Sequence, residues 1–85
     1  LIKNNKHIYL SPIEYSILIY MINNPNRVLT YKEIYENVWN SRSIGDTRTV
    51  MVHVSNLRKK LQHTPSSPEY IKTLKKMGYK FESEN

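Results

Sequence analysis

Cysteine does not occur in these 85 residues, so neither a disulfide framework nor a thiolate zinc site is available. Glycine occurs twice and aspartate once, at Asp46. A glycine-rich phosphate loop is therefore excluded, and Asp46 is best used as a helix cap. The histidines, His7, His53 and His63, are scattered; His53 and His63 are too far apart to share a metal on one helical face. Catalysis and metal or other cofactor binding are not expected. Long hydrophobic runs are missing too. The longest, residues 17–22, is far too short to cross a bilayer, and no signal-peptide pattern is visible. The chain opens on Leu1 rather than Met, which points to a piece of a longer protein. A cytoplasmic setting fits the lack of cysteine.

What is present suits one small globular domain: 39% hydrophobic and 24% charged residues rule out low-complexity and strongly disordered chains. Thirteen Lys and Arg against seven Asp and Glu give a formal +6, unevenly placed. Residues 1–46 are near neutral, whereas residues 47–80 hold eight basic groups and one acid, Glu69. Such a concentration costs self-repulsion, and a polyanionic partner is the usual compensation. A merely solvated basic surface is the plainer alternative.

Residues 1–3 and 8–10 are β-prone around an Asn4-Asn5 turn and predict an N-terminal hairpin. Ser11-Pro12-Ile13-Glu14 has the features of a helix start: a cap, a proline at the first helical position, and a glutamate three residues after the cap. Leu10 and Tyr15 are placed as a hydrophobic staple. The residues after them are apolar nearly all round, as in a buried helix, here predicted over 12–24. Thr30-Tyr31-Lys32-Glu33 repeats the device with Leu29 and Ile34 as staple, predicting a helix over 30–39. After a polar loop over 40–46, Asp46 or Thr47 can cap a third helix over 47–63, which Thr64-Pro65 stops. Residues 70–82 read as a second hairpin, its strands joined by Lys75-Lys76-Met77-Gly78. The order makes an α+β fold.

The third helix divides by chemistry. At about 100° per residue, Val50, Val54, Leu57 and Leu61 fall within roughly 60° of one another and must face the core. Arg48, Val52, Ser55 and Lys59 lie opposite, flanked by Thr49 and Asn56; Met51 and Arg58 occupy one shoulder, His53 and Lys60 the other. No carboxylate occurs between Thr47 and Gln62. Cations that neutralise phosphates, short polar groups, an Asn able to pair with adenine and an outward Val52 for a thymine methyl suit a helix in the DNA major groove. Lys72, Lys75, Lys76 and Lys80, with Thr73 and Tyr79, give the final hairpin a basic, hydroxyl-bearing surface. Such a ribbon can reach the backbone or the neighbouring minor groove.

Six blocks stand in order: Leu10-Ser11-Pro12-Ile13-Glu14-Tyr15, Asn24 to Thr30, Val38-Trp39, Asp46 to Val50, Leu57 to Leu61, and Tyr70 to Leu74 with Gly78 to Phe81. Together they resemble the effector domain of OmpR/PhoB-type response regulators. The resemblance spans about residues 8–82. It implies a winged helix-turn-helix: a three-helix core, a C-terminal wing, and an N-terminal sheet of which residues 1–10 keep only a hairpin. It also implies binding to direct-repeat DNA half-sites, with a monomer in solution pairing head to tail on DNA. Residues 27–29 resemble the strand that pairs with the wing, and loop 40–46 the family's contact region for RNA polymerase. A receiver domain and a partner histidine kinase would belong to the full-length protein.

Carried over by position, the DNA-facing residues are Arg48, Thr49, Val52, His53, Ser55, Asn56 and Arg58 on the third helix. Thr73, Lys75 and Tyr79 match on the wing, and Trp39 matches a phosphate contact through its indole N–H. Ser55 and Asn56 replace family arginines, Met51 a common Asp, and Lys76 the first glycine of the wing turn. Other roles stay open: His53 as a half-buried shoulder residue, Trp39 and the tyrosines 15, 20, 31 and 35 as core and rim, Arg58 as partner of Glu33 or Glu36. A winged helix used for protein or RNA contacts is the rival class. It would favour exposed apolar or stacking aromatic surface over clustered Lys and Arg.

Overall fold

Ser11 and Thr30 begin the first two helices in the same way. In the computed structural model, which describes residues 2–3, 6–43, 45, 47–61 and 70–82, each hydroxyl accepts the amide three residues on. The glutamates at those positions, Glu14 and Glu33, reach back to the cap amides at 3.0 and 3.1 Å. These reciprocal bonds satisfy donors that the first helical turn leaves unpaired. Helix α1 runs Pro12–Ile22 and α2 runs Tyr31–Val38. The predicted end of α1 at residue 24 is two residues too late. Asn23 caps it, and the Asn24 side chain takes the Tyr20 carbonyl at 2.8 Å, while Pro25 disfavours helical geometry at Asn24. Thr30 and Trp39, predicted inside the second helix, are its caps.

Helix α3 runs Thr47–Leu61. Thr47 is its first residue rather than its cap; Asp46, the predicted end at His63 and the Thr64-Pro65 stop lie outside the described residues. Strand β1 (Ile2–Lys3) pairs with β2 (Lys6–His7), with Lys3 opposite Lys6. The second strand was expected over 8–10, but pairing that begins next to a two-residue connection brings it forward. Asn4 and Asn5 themselves are outside the described residues.

Strand β3 (Leu29–Thr30) pairs with β5 (Gly78–Phe81), which pairs with β4 (Ile71–Leu74), in the antiparallel order β3-β5-β4. The wing strand predicted near residues 27–29 thus lies slightly later. The wing turn closes with the Met77 amide on the Leu74 carbonyl at 2.9 Å. Its third residue, Lys76, has a φ of 65°, the left-handed backbone that glycine adopts most readily. Gly78 was expected in the connection but belongs to β5, opposite Leu74 and Thr30. A Cβ there would stand 1.9 Å from the Leu29 carbonyl oxygen, so β3 can approach only a glycine.

The core joins Ile17, Leu18 and Met21 of α1, Leu29, Ile34 of α2, Ile71, Tyr79 and the aliphatic face of α3. The Leu29–Ile34 staple is fully buried. Leu10 packs on the core, but Tyr15, its expected staple partner, is 55% exposed. Nor is α1 buried all round: Ile22 is 45% exposed, because the helices and β5 surround α1 on one side only.

Both capping glutamates hold further partners. Glu14 Oε1 accepts from Lys60 Nζ of α3 at 2.6 Å, and Glu33 Oε2 accepts from the Tyr20 hydroxyl at 2.7 Å and Arg27 at 3.2 Å. Burial by itself would raise the Glu14 carboxyl, but Lys60 and the Ser11 amide outweigh it and hold it below its ordinary value. Glu33 is held down likewise, by Tyr20, the Thr30 amide and Arg27 against burial. A carboxylate lowered in the folded state stabilises the fold above the unfolded pKa, about 4.3, and loses that contribution as pH falls through the folded value. The melting temperature should therefore hold near neutrality and drop steeply below about pH 4. Glu14→Gln should lower it at pH 7 and flatten the acid limb, both followed by circular dichroism. Gly78→Ala should cost roughly 3 kcal/mol or more in urea unfolding, because the obstacle is backbone. Lys76→Gly should gain about 0.5–1 kcal/mol, because glycine carries little penalty at positive φ.

Candidate nucleic-acid interface

The buried residues of α3 are Val50, Val54, Leu57 and Leu61, the four that its periodicity assigns to the core. At roughly 1.5–3 kcal/mol for each fully buried aliphatic side chain, this stripe fixes the rotation of the helix. The other side therefore faces solvent: Arg48, Val52, Ser55, Asn56 and Lys59 are all exposed, with Thr49 half-buried at the edge. Val52 is 51% and Met51 46% exposed, two adjacent apolar side chains on an otherwise polar face. Met51 was read as a shoulder residue without a role, yet it lines a shallow hollow with Arg48, Val52, Ser55 and Asn56.

His53 and Trp39 meet at the junction of α2 and α3. The Trp39 ring stacks on Tyr35 with centroids 4.8 Å apart and receives the edge of His53 at 5.3 Å. His53 Nδ1 lies 2.8 Å from the Thr49 carbonyl, so this nitrogen carries the proton and donates. Both residues are half-buried, and their rings serve as packing beside the outward face. Between them in the chain, the loop is tied to α2 by the Ser43 amide on the Glu36 carboxylate at 3.0 Å. Asn40 and Gly45 both take positive φ there.

Of the remaining expected contacts, Arg58 and Tyr79 are drawn inward, whereas Thr73 and Lys75 stay exposed. Arg58 Nη2 donates to the Ile71 carbonyl at 2.9 Å and to the Thr73 hydroxyl at 2.5 Å. Its guanidinium carbon lies 5.1 Å from the centre of the Tyr79 ring. Neither Glu33 nor Glu36 is a partner of Arg58 in the described contacts; both are engaged elsewhere. Tyr79, expected on the wing surface, is only 3% exposed, with its ring also meeting the edge of Tyr31 at 5.5 Å. The correction has a simple origin. Pairing with both Leu29 and Thr73 places Tyr79 at the centre of the sheet, where its ring fills the space beneath α3. Burial first, then the neighbouring Tyr31, push its hydroxyl pKa up, so it stays neutral.

The basic cluster is thus divided. Lys60 is spent on Glu14, Arg58 on the wing, and Lys80 stands 3.7 Å from Glu82. Arg48 and Lys59 on α3 and Lys75 and Lys76 on the wing tip are exposed. The Glu14–Lys60 link was not foreseen. Glu14 read as a cap and Lys60 as a shoulder cation, and no spacing rule relates residues in different helices.

Comparison with known proteins gives this surface a context. The family model described as "Transcriptional regulatory protein, C terminal" matches residues 5–81. Transcriptional regulatory protein YvrH of Bacillus subtilis is 49% identical over 65 residues, covering 76% of this chain and 27% of the relative. Among solved structures, the DNA-binding domain of E. coli CadC superposes with a TM-score of 0.84 at 34% identity, covering 94% of this chain and 75% of that one. The Klebsiella pneumoniae RstA DNA-binding domain, solved in complex with its RstA box, gives 0.76 at 28% identity, covering 88% and 74%. This chain spans 27–35% of the length of the curated relatives it matches. Three helices, an antiparallel wing sheet and this match make the chain a winged-helix member of the transcriptional regulatory protein C-terminal family, the effector domains of OmpR/PhoB-type response regulators.

Proposed function

We propose that the domain binds duplex DNA sequence-specifically, with α3 in the major groove and the wing tip on the adjacent backbone or minor groove. The outward face of α3 carries this reading: Arg48, Val52, Ser55, Asn56 and Lys59 are exposed together, without a carboxylate, on a helix whose other side is locked in the core. Arg48 and Lys59 neutralise phosphates, as does Lys75 from the wing. Asn56 pairs with an adenine edge, Val52 meets a thymine methyl, and Thr49 and Ser55 allow close approach. Trp39 and His53 border this surface and reach a phosphate only through their outer edges. The solved RstA complex with its RstA box supports the reading for a domain of the same fold.

In the intact protein this domain is the output half of a two-component response regulator, controlled by a receiver domain and a histidine kinase in the cytoplasm. Two copies sit head to tail on direct-repeat half-sites while the isolated domain is monomeric. In this reading loop 40–46 supplies the contact with RNA polymerase.

With Arg48, Lys59, Lys75 and the exposed Lys76 on phosphates, log K should fall against log salt with a slope near −4. Fluorescence titration of a duplex selected from a random pool checks this, and a flat response removes the electrostatic basis. Asn56→Ala should cost roughly 1–3 kcal/mol on the selected duplex and little on random sequence. Equal losses on both would show that Asn56 does not read a base.

A further inference from the structure

Two large apolar side chains stand exposed on α3, Met51 at 46% and Val52 at 51%, and they are neighbours in the chain. The core takes this helix by Val50, Val54, Leu57 and Leu61, so neither is held there. A single apolar residue on a surface is ordinary, but these two line one hollow with Arg48, Ser55 and Asn56. Helical spacing explains the grouping. Arg48 lies one turn before the pair and Ser55 one turn after it, so each borders both side chains, and Asn56 lies beside Val52. The hollow is therefore cationic at one end, polar at the other and apolar between.

Of the four bases, thymine alone offers a methyl group in the major groove. An isopropyl group or a thioether donates no hydrogen bond and accepts at best weakly. Held against the amino group of cytosine or the acceptors of guanine, either would displace water without replacing its bonds. Against a methyl, the same contact is favourable. The two side chains leave the helix about 100° apart, so they do not converge on one methyl. Neighbouring bases of a strand are about 3.4 Å apart, and the unbranched, flexible Met51 can reach the base next to the one that Val52 meets.

We infer that Met51 is a second base-reading residue, which with Val52 selects thymine at two neighbouring base pairs. This role rests on the DNA-binding reading above, which gives Val52 one methyl and Met51 no part, and it names the sequence feature that the hollow accepts. The thymine step lies between the phosphate held by Arg48 and the base read by Asn56, residues about 12 Å apart along the helix axis.

Deoxyuridine tests this, because it lacks only the methyl of thymine and keeps every hydrogen-bonding group. In a duplex selected from a random pool, each thymine is replaced in turn. For the parent domain, the exchange at either of two neighbouring base pairs should weaken binding about fourfold, the worth of one buried methyl-sized group. Met51→Ala should bind the unmodified duplex less tightly by a similar factor and become indifferent to one of these exchanges. Val52→Ala should become indifferent to the other. Met51→Leu, apolar and of similar volume, should keep both responses. Binding to a random-sequence duplex and the salt slope should stay those of the parent in all three variants, since no charge is altered. Three results would each overturn the role of Met51 while leaving sequence-specific binding intact. They are a Met51→Ala domain that still responds to both exchanges, one that loses equally on selected and random duplexes, and a parent without neighbouring methyl-sensitive thymines. A parent that binds selected and random duplexes alike overturns the DNA-reading surface itself, and the thymine step with it.

Discussion

An α-helix of 15 residues can give only one side to a small core, and that constraint organises this domain. Val50, Val54, Leu57 and Leu61 take the inward side of α3, and among the described residues no other element buries Met51 or Val52 on the other side. Rotating the helix by one residue would turn about 100° of aliphatic surface toward water and bring Arg48 or Lys59 toward the core. The outward chemistry is therefore presented by the same burial that stabilises the fold. Helices α1 and α2 and the sheet are the ground against which α3 is held.

Charge is allocated by the same geometry. The cations on the shoulders of α3 turn inward, Lys60 to α1 and Arg58 to the wing, while those on its far side and at the wing tip stay in solvent. A concentration of basic residues in sequence thus serves two ends: part of it holds elements together, and part of it forms the surface. Reading the whole cluster as surface overstates the positive face by at least these two residues.

Most of the local structure could be read from the sequence because its causes are local. A serine or threonine with a glutamate three residues on is a capping device within one turn, and the four-residue stripe of α3 follows from helical repeat alone. What escaped the sequence depends on long-range placement. Arg58 meets Ile71 and Thr73 only because the wing folds back across α3, and Lys60 meets Glu14 across 46 residues of chain. Tyr79 misled for a related reason: among lysines on a hairpin it reads as a surface hydroxyl, whereas pairing on both sides makes β5 the central strand and its tyrosine a core residue. The wing turn kept its left-handed residue without the glycine, because Lys76 accepts that backbone at a cost.

The capping glutamates have a consequence for cooperativity. A helix start secured only by its own cap can fray independently, since the bonds lost are local. Here Glu14 belongs to the first turn of α1 and to the attachment of α3, and Glu33 to the first turn of α2, to Tyr20 of α1 and to Arg27. Loosening either turn releases a neighbouring helix as well, so partial openings at these ends carry an added free-energy penalty. Amides near Ser11 and Thr30 should therefore exchange with solvent on the timescale of the whole domain, as one thermodynamic unit.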